Sequence, residues 1–424
     1  MRLKPLFACG CVALAVAACS KDTDGELTQQ DPLAAVRYVN LVSDTTALDF
    51  RIIDIVGDAP NTVAATFRTG GAPNGVTNTV PTQPPHLPVR AGTRQIRVFL
   101  NGSTPAVAST IVLDTQVTFE ANSNYTFFLT GLAAGGAPAL TALLVKDSVP
   151  TIPTGQFALR VINLAPSLSS AVNQPANVAS PLDITVSASD GPVPAAGAPT
   201  FANLPYGAIS NYVMLPTSTP AAGLLRITAT PSGSTSPLLI AGILPNGATS
   251  ATANPIAGTF VAGTAITAVI VPRSAPGTGA PQTVPANVTT NIDSITRAGD
   301  VVTVWRAITA GNGTSTCNTA VAAGAAVGDV IVVPGLTDAA YNGQHIVTSV
   351  TAGTSQTAVA GPPFSCTGTA TPSRFTYRIA GTPVSPAAGT RSFRVIGSGT
   401  NRALDFSVPS VIYLIDQQPP RTQP

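Results

Sequence analysis

The sequence predicts an all-β protein: tandem β-sandwich domains of the immunoglobulin-like or Greek-key type, plus a small inserted β-barrel-like module. Three observations support this prediction. Segments of alternating apolar and polar residues are short, with turn residues about every 8 to 12 positions. The 424 residues include 37 glycines and 39 prolines, which favour turns over long helices. A long part of the chain also repeats itself, which indicates duplicated domains.

The first 18 residues have the form of a secretory signal. Arg2 and Lys4 precede a short apolar run, and this run is shorter than the roughly 20 residues that a membrane-spanning helix needs. Its end, Val16-Ala17-Ala18-Cys19, resembles the lipobox of bacterial lipoproteins. That resemblance implies removal of residues 1–18 and acylation of Cys19. The alternative is an ordinary cleavable signal with an incidental cysteine.

The residues after the signal extend the lipoprotein interpretation. Residues 19–33 are polar and are predicted to form a flexible tether. Ser20, directly after the cysteine, resembles the sorting pattern of outer-membrane lipoproteins. We therefore expect a protein of the cell envelope that is attached to the outer membrane through its N-terminal lipid.

Two copies of a β domain are predicted to follow, at 34–150 and at 156–285. "AVRYVNLVSDTTALDFRI" at 35–52 returns as "ALRVINLAPSLSS" and "SPLDITV" within 158–186. The alignment pairs Arg37 with Arg160, Asn40 with Asn163, and Asp49 with Asp183. We interpret Arg37/Asp49 and Arg160/Asp183 as cross-strand charge pairs, and a shared ligand contact is the alternative.

The second copy carries a family resemblance. "ALRVINLAPS", "LDITV", "FANLPYGAISNYVMLP" and "LRITATPSGSTSPLL" resemble the domain-of-unknown-function 4397 family, best over 156–275 and more loosely over 35–148. The resemblance implies a β-sandwich in an exported protein. The family has no established activity, so no catalytic residue is implied.

A third unit, 286–395, has a different pattern. Gly328-Asp329, Tyr341-Asn342-Gly343 and Phe375-Thr376-Tyr377 resemble a small β module of phage-tail and bacterial surface proteins, often labelled by its similarity to the FCCH β-barrel of ubiquitin-activating enzymes. Asn342-Gly343 is also a strong hairpin turn by itself. The resemblance implies a compact β module.

The position of this module leaves two arrangements open. The tail at 407–421 resembles the end of the first repeat at 139–150, since each has an apolar strand, then Asp, then prolines. We therefore favour an insertion, in which 396–418 completes the second sandwich. In the serial alternative, "FRVIGSGTNRALDFSV" at 393–408 begins a truncated third copy.

The cysteines fit an oxidising compartment. Cys9 and Cys11 would leave with the signal, and Cys19 would be acylated, so Cys317 and Cys366 remain as an even pair. A disulfide between them is the natural interpretation. Two unpaired thiols are the alternative.

No constellation for catalysis or metal binding is apparent. His86 and His345 belong to different modules, and we interpret them as a solvated loop residue and a sheet-surface residue. Trp305 is expected in the core of the third module. Tyr206 and Tyr212 are interpreted as core or half-buried residues, with an exposed aromatic rim for sugar or protein contact as the alternative. No cofactor or metal is expected.

The sequence thus favours an extracytoplasmic protein with a binding or structural role over an enzyme. Its partners would be the membrane, through the lipid, and a glycan or another envelope protein. A net charge of +2, with 9% charged residues, provides no basic face for nucleic acid. The alternative is an envelope hydrolase that uses a pair of acids in an inter-domain cleft.

Overall fold

The structure, a computed structural model, confirms the all-β sandwich fold. It describes residues 32–42, 44–54, 66–71, 84–135, 138–165, 181–193, 198–219, 223–234, 240–249, 254–272, 290–333, 336, 341–359, 363–379, 392–397 and 409–420. The signal-like segment and the lipobox with Cys19 lie outside these residues.

Eight strands form the first sandwich. They are β1 (Leu33–Asn40), β2 (Leu48–Ile52), β3 (Thr66–Gly71), β4 (Leu87–Arg90), β5 (Gly92–Leu100), β6 (Ile111–Phe119), β7 (Asn124–Thr130) and β8 (Thr141–Lys146), with one short helix, α1 (Pro105–Ala108). One sheet has the order β4-β1-β7-β8 and the other β3-β2-β5-β6. Strands β1 and β7 are parallel, and the other neighbours are antiparallel.

The second sandwich repeats this topology strand for strand. It contains β9 (Gln156–Asn163), β10 (Leu182–Ala188), β11 (Phe201–Leu204), β12 (Val213–Pro216), β13 (Leu225–Pro231), β14 (Ile240–Ile243), β15 (Ala265–Val271) and β27 (Ser410–Gln417). Its sheets have the orders β12-β9-β15-β27 and β11-β10-β13-β14. The chain therefore returns to the second sandwich after the third module, because β27 pairs with β15.

The two sandwiches pack against each other as a stack of four sheets. One apolar core lies inside each sandwich. A third apolar cluster joins the β4-β1-β7-β8 sheet to the β12-β9-β15-β27 sheet, and it includes Val39, Phe128, Ile162, Val269 and Leu414. Both central sheets are therefore buried on both faces, which explains continuous apolar strands such as "AITAVIV".

The third module is barrel-like but not closed, since residues 292 and 293 alone separate the strands at the two edges of its sheet, which must therefore curl. Its strands are β16 (Thr290–Asn291), β17 (Ser294–Ala298), β18 (Val301–Trp305), β19 (Ile308–Thr309), β20 (Thr319–Ala320), β21 (Val330–Val333), β22 (Gly343–Thr351), β23 (Thr357–Val359), β24 (Ser365–Thr367), β25 (Arg374–Arg378) and β26 (Ser392–Gly397). Seven of them form an open sheet, β16-β26-β21-β22-β25-β18-β17. Its edge strands, β16 and β17, are adjacent in the chain but do not pair in the described part of the sheet, so no closed barrel forms.

The described start of the segment that the serial alternative assigned to a further copy belongs to the third module. Residues 392–397 form β26, which pairs with β16 and β21 of the module's own sheet. The module covers the edge of β14, where Gln344 Oε1 accepts a hydrogen bond from the Ala241 backbone at 3.0 Å. The side-chain nitrogen of Gln344, Nε2, donates to the carbonyl oxygen of Pro409, one residue before β27, at 2.7 Å.

Candidate functional site

The two arginines shared by the repeats meet at the interface between the sandwiches. Along β1, Val36 and Tyr38 point into the first core, so Arg37 points towards the second sandwich. The same alternation on β9 turns Arg160 towards the first sandwich. Both arginines are almost fully buried, with 1% and 4% of the residue exposed.

Each arginine pairs with an aspartate from the other sandwich. Arg37 Nη2 binds Asp416 at the end of β27, and Arg160 Nη2 binds Asp147 directly after β8. The diagonal contacts, Arg37–Asp147 and Arg160–Asp416, are both 3.6 Å. The two aspartate side chains have no exposed surface. These four residues, the ionic cluster, are related by an approximate two-fold exchange of the sandwiches.

Threonines from the central strands complete the ionic cluster. Arg37 Nε donates to Thr126 Oγ1 at 2.7 Å, and Arg160 Nε donates to Thr267 Oγ1 at 2.6 Å. Thr126 Oγ1 in turn donates to Asp147 Oδ2 at 2.8 Å. The cluster is therefore neutral and dense in hydrogen bonds, which is the condition under which buried charges are tolerated.

The two halves of the cluster differ at one position. His86, directly before β4, places Nε2 3.2 Å from Asp147 Oδ2. Tyr212, directly before β12, donates its hydroxyl to Asp416 Oδ2 at 2.7 Å. His86 is thus a half-buried partner of the ionic cluster, and its prediction as a solvated loop residue is wrong. Burial, followed by the negative charge of Asp416, raises the pKa of Tyr212.

The surroundings of Asp147 favour the charged form of its carboxyl group. Burial alone would raise its pKa, but the hydrogen bond from His86 and the charges of Arg37 and Arg160 hold the pKa below its usual value. The hydrogen bond from Thr126 acts in the same direction. A general acid needs a raised pKa, so the lowered pKa of Asp147 does not favour the hydrolase alternative at this position.

The predicted cross-strand charge pairs are wrong. Arg37 lies on β1 and Asp49 on β2, and these strands belong to different sheets of the sandwich. Arg160 on β9 and Asp183 on β10 are separated in the same way. The repeated arginines and aspartates therefore have separate structural roles.

Both of these aspartates anchor turns. Asp49 Oδ1 accepts hydrogen bonds from the Gly70 backbone and from Asn101 Nδ2, both at 2.9 Å. Asp183 Oδ2 accepts one from the Gly233 backbone at 2.8 Å. Burial would raise the pKa of each carboxyl, but the N–H donors lower it below the usual value.

The two tyrosines do not form an exposed rim. Both are half-buried, and both reach the interface between the sandwiches. The hydroxyl of Tyr206 lies 3.4 Å from Thr130 Oγ1 of the first sandwich, and Tyr212 belongs to the ionic cluster. Tyr206 therefore contacts the first sandwich, whereas Tyr212 completes the ionic cluster from its own sandwich.

A disulfide stabilises an exposed lobe of the third module. Cys317 and Cys366 are bonded, with their Cα atoms 5.7 Å apart. They connect the β19–β20 hairpin to the β23–β24 hairpin, and most residues of both are exposed. Asn312 orders the loop before Cys317, since its Oδ1 accepts backbone hydrogen bonds from residues 314–316.

Two predictions for residues of the third module are wrong. His345 is buried and stacks on Tyr377, with ring centroids 4.4 Å apart, rather than lying on the sheet surface. Burial lowers its pKa to about 4. Trp305 is half-buried on the outer side of the sheet rather than part of the core, because Val302 and Val304 occupy the inward positions of β18.

Sequence reasoning did not identify Asp147 and Asp416 as partners of the arginines. A signal existed, because "LLVKD" and "IYLID" end equivalent strands in the two repeats. The pairing itself depends on two sheets meeting face to face, which no local pattern indicates. Among the described residues, no group of three or more His, Cys, Asp or Glu side chains could hold a metal ion.

Comparison with known proteins gives one family match. Residues 34–173 match the family described as Domain of unknown function (DUF4397). The match covers the first sandwich and β9, whereas the stronger resemblance was expected over 156–275. No curated protein matches the chain. Within the described residues, no helix is long and apolar enough to cross a membrane.

Proposed function

We propose that the protein is an extracytoplasmic component of a bacterial cell envelope that is held at the membrane by a lipid on Cys19. In this proposal the paired sandwiches are a rigid support, and the third module is presented to a binding partner. The observation that carries the proposal is the Cys317–Cys366 disulfide in an exposed lobe. Disulfides persist in oxidising compartments, and an exposed one is accessible to cytosolic reductants.

The interface between the sandwiches supports the role of a rigid support. Domains in one chain move relative to each other unless their interface is large and apolar. Here an apolar cluster lies beside the ionic cluster between the same two sheets, and both are buried. Two sandwiches held in this way would not hinge against each other. Such rigidity suits the display of a binding module better than it suits a catalytic cleft that closes on a substrate.

The experiment is expression of the native sequence in a Gram-negative host, followed by membrane fractionation and mass analysis of the N-terminal peptide. We expect cleavage before Cys19 and a mass increase equal to its acyl groups. A Cys19→Ala variant should leave the outer-membrane fraction. Cys9→Ala is the matched control and should behave like the parent, since residue 9 is removed with the signal. Full-length, unacylated protein in the cytosol would overturn the proposal.

A further inference from the structure

The third module has one open sheet face that contains the only tryptophan of the chain. Side chains on the outer face of β17, β18, β25 and β22 form what we call the Trp305 face. Its members are Ser294, Thr296, Thr303, Trp305, Arg374, Thr376, Ser349 and Thr351. The opposite face of these strands packs on the module core, through residues such as Val304 and Phe375.

The strand register arranges this face in two rows. One row contains only hydroxyl side chains, because Thr303 is the cross-strand partner of both Thr296 and Thr376, and Ser349 is opposite Thr376. The second row crosses the sheet as Ser294, Trp305, Arg374 and Thr351. The result is an indole ring beside a line of hydroxyl groups.

Trp305 is held in a fixed orientation. Its Nε1 donates to Thr296 Oγ1 at 3.0 Å, and the Arg374 guanidinium lies 5.0 Å from the centre of the ring. A half-buried indole with its N–H already satisfied offers the exposed part of its apolar surface at little cost in side-chain entropy.

The charge of the face is positive. Arg374 is exposed, and it has no ion pair among the residues that the structure describes. Its neighbour along β25, Arg378, is neutralised by Asp300 at 2.7 Å. None of the members of the Trp305 face is a carboxylate.

We infer that the Trp305 face binds an acidic polysaccharide, one whose sugar rings carry carboxylates. The apolar face of a sugar ring packs on the indole, and the hydroxyl row exchanges hydrogen bonds with the sugar hydroxyls. Arg374 binds a carboxylate with the paired hydrogen bonds that its planar group permits. A nucleic acid is not favoured, since phosphate recognition needs several cations in a row. The inference rests on the proposed function for its setting, a module displayed in the envelope.

The only tryptophan makes this inference directly measurable. Purified full-length chain with its disulfide intact is titrated with oligogalacturonate, and Trp305 fluorescence is recorded. We expect a saturable change. Pullulan, an uncharged glucan, should bind at least tenfold more weakly, and poly-L-glutamate should produce no saturable change. An equal response to poly-L-glutamate would overturn the inference, because it would show attraction to any polyanion. No response to oligogalacturonate would also overturn it.

Matched variants assign the binding to this face. Arg374→Gln, at an exposed position, should weaken oligogalacturonate binding at least tenfold. Arg97→Gln removes an exposed arginine from the first sandwich and should leave binding unchanged. For Trp305→Ala, calorimetry replaces fluorescence and should detect a loss of at least tenfold, with far-ultraviolet circular dichroism confirming the fold. Unchanged binding by either face variant would refute the inference. Because these measurements use purified protein, they are independent of the acylation test.

Discussion

At the scale of single residues, the ionic cluster explains why the arginines recur in both repeats. Each buried arginine makes its shortest ion pair with the aspartate of the other sandwich and a longer one, at 3.6 Å, with the aspartate of its own. Desolvating these ions is costly, and only a full set of partners offsets the cost. The cluster therefore favours the correct alignment of the two sheets over any shifted arrangement, in which buried charges would lack partners.

Removing one arginine should therefore be far more harmful than removing an exposed one. We expect Arg37→Met to lower the free energy of unfolding by about 3–5 kcal/mol, because Asp416 is left buried without its closest cation. Arg97→Met, at an ion pair with Asp114 that is more than a third exposed, should cost below about 1 kcal/mol. Urea unfolding followed by circular dichroism measures both. Equal losses would show that the cluster contributes nothing beyond surface pairing.

His345 should make the third module sensitive to acid. Its pKa is about 4 in the folded protein and about 6.5 when unfolded, so between these values the unfolded chain binds the extra proton. Stability should thus fall as the pH falls, by about 2 kcal/mol between pH 7 and pH 5. Denaturation followed by Trp305 fluorescence at several pH values tests this.

Variants of the two histidines show which of them causes the loss of stability in acid. In His345→Gln the fall between pH 7 and pH 5 should largely disappear, whereas in His86→Gln it should remain. A parental profile that is flat over this range would contradict burial of a neutral His345.

At the scale of elements, the sequence was sufficient to predict the strands and their repetition. Alternation and turn residues are local patterns, and the apolar segment "IYLID" after the third module is part of a strand, β27. The even cysteine pair likewise predicted the Cys317–Cys366 bond. The candidate site was less predictable, because Arg37 and Asp147 meet only when two sheets stack.

The errors have a common physical origin. A period of two assigns residues to two faces of a strand but does not say which face is covered. Trp305 was expected in the core because tryptophan is large and apolar, yet Val302 and Val304 define the inward face. His345 was expected at the surface because histidine is polar, yet β22 is buried over its first five residues. Whether the curled sheet of the third module closes into a barrel was not predictable either, because pairing of its edge strands depends on sheet curvature, which no single strand encodes.

At the scale of the whole molecule, the protein is a four-sheet stack with a module attached at one edge. The third module interrupts the second sandwich, and β27 then supplies both the last strand of that sandwich and Asp416 of the ionic cluster. Gln344 links the module to β14 and to the residue before β27. Folding of the second sandwich is thus coupled to the chain's return from the third module, whereas the exposed disulfide lobe lies outside both cores.

This arrangement predicts that the disulfide stabilises one part of the molecule and not the whole. Replacing both cysteines, Cys317→Ser with Cys366→Ser, should lower the stability of the third module by about 4 kcal/mol, since the bond closes a loop with a sequence separation of 49. Trp305 fluorescence follows this module alone, and circular dichroism follows all the sheets. In guanidinium chloride we expect the fluorescence midpoint to fall while the main dichroism transition stays in place.

Dithiothreitol should reproduce the shift in the parent and add nothing to the double variant. A common shift of both signals would mean instead that the module and the stack unfold as one cooperative unit.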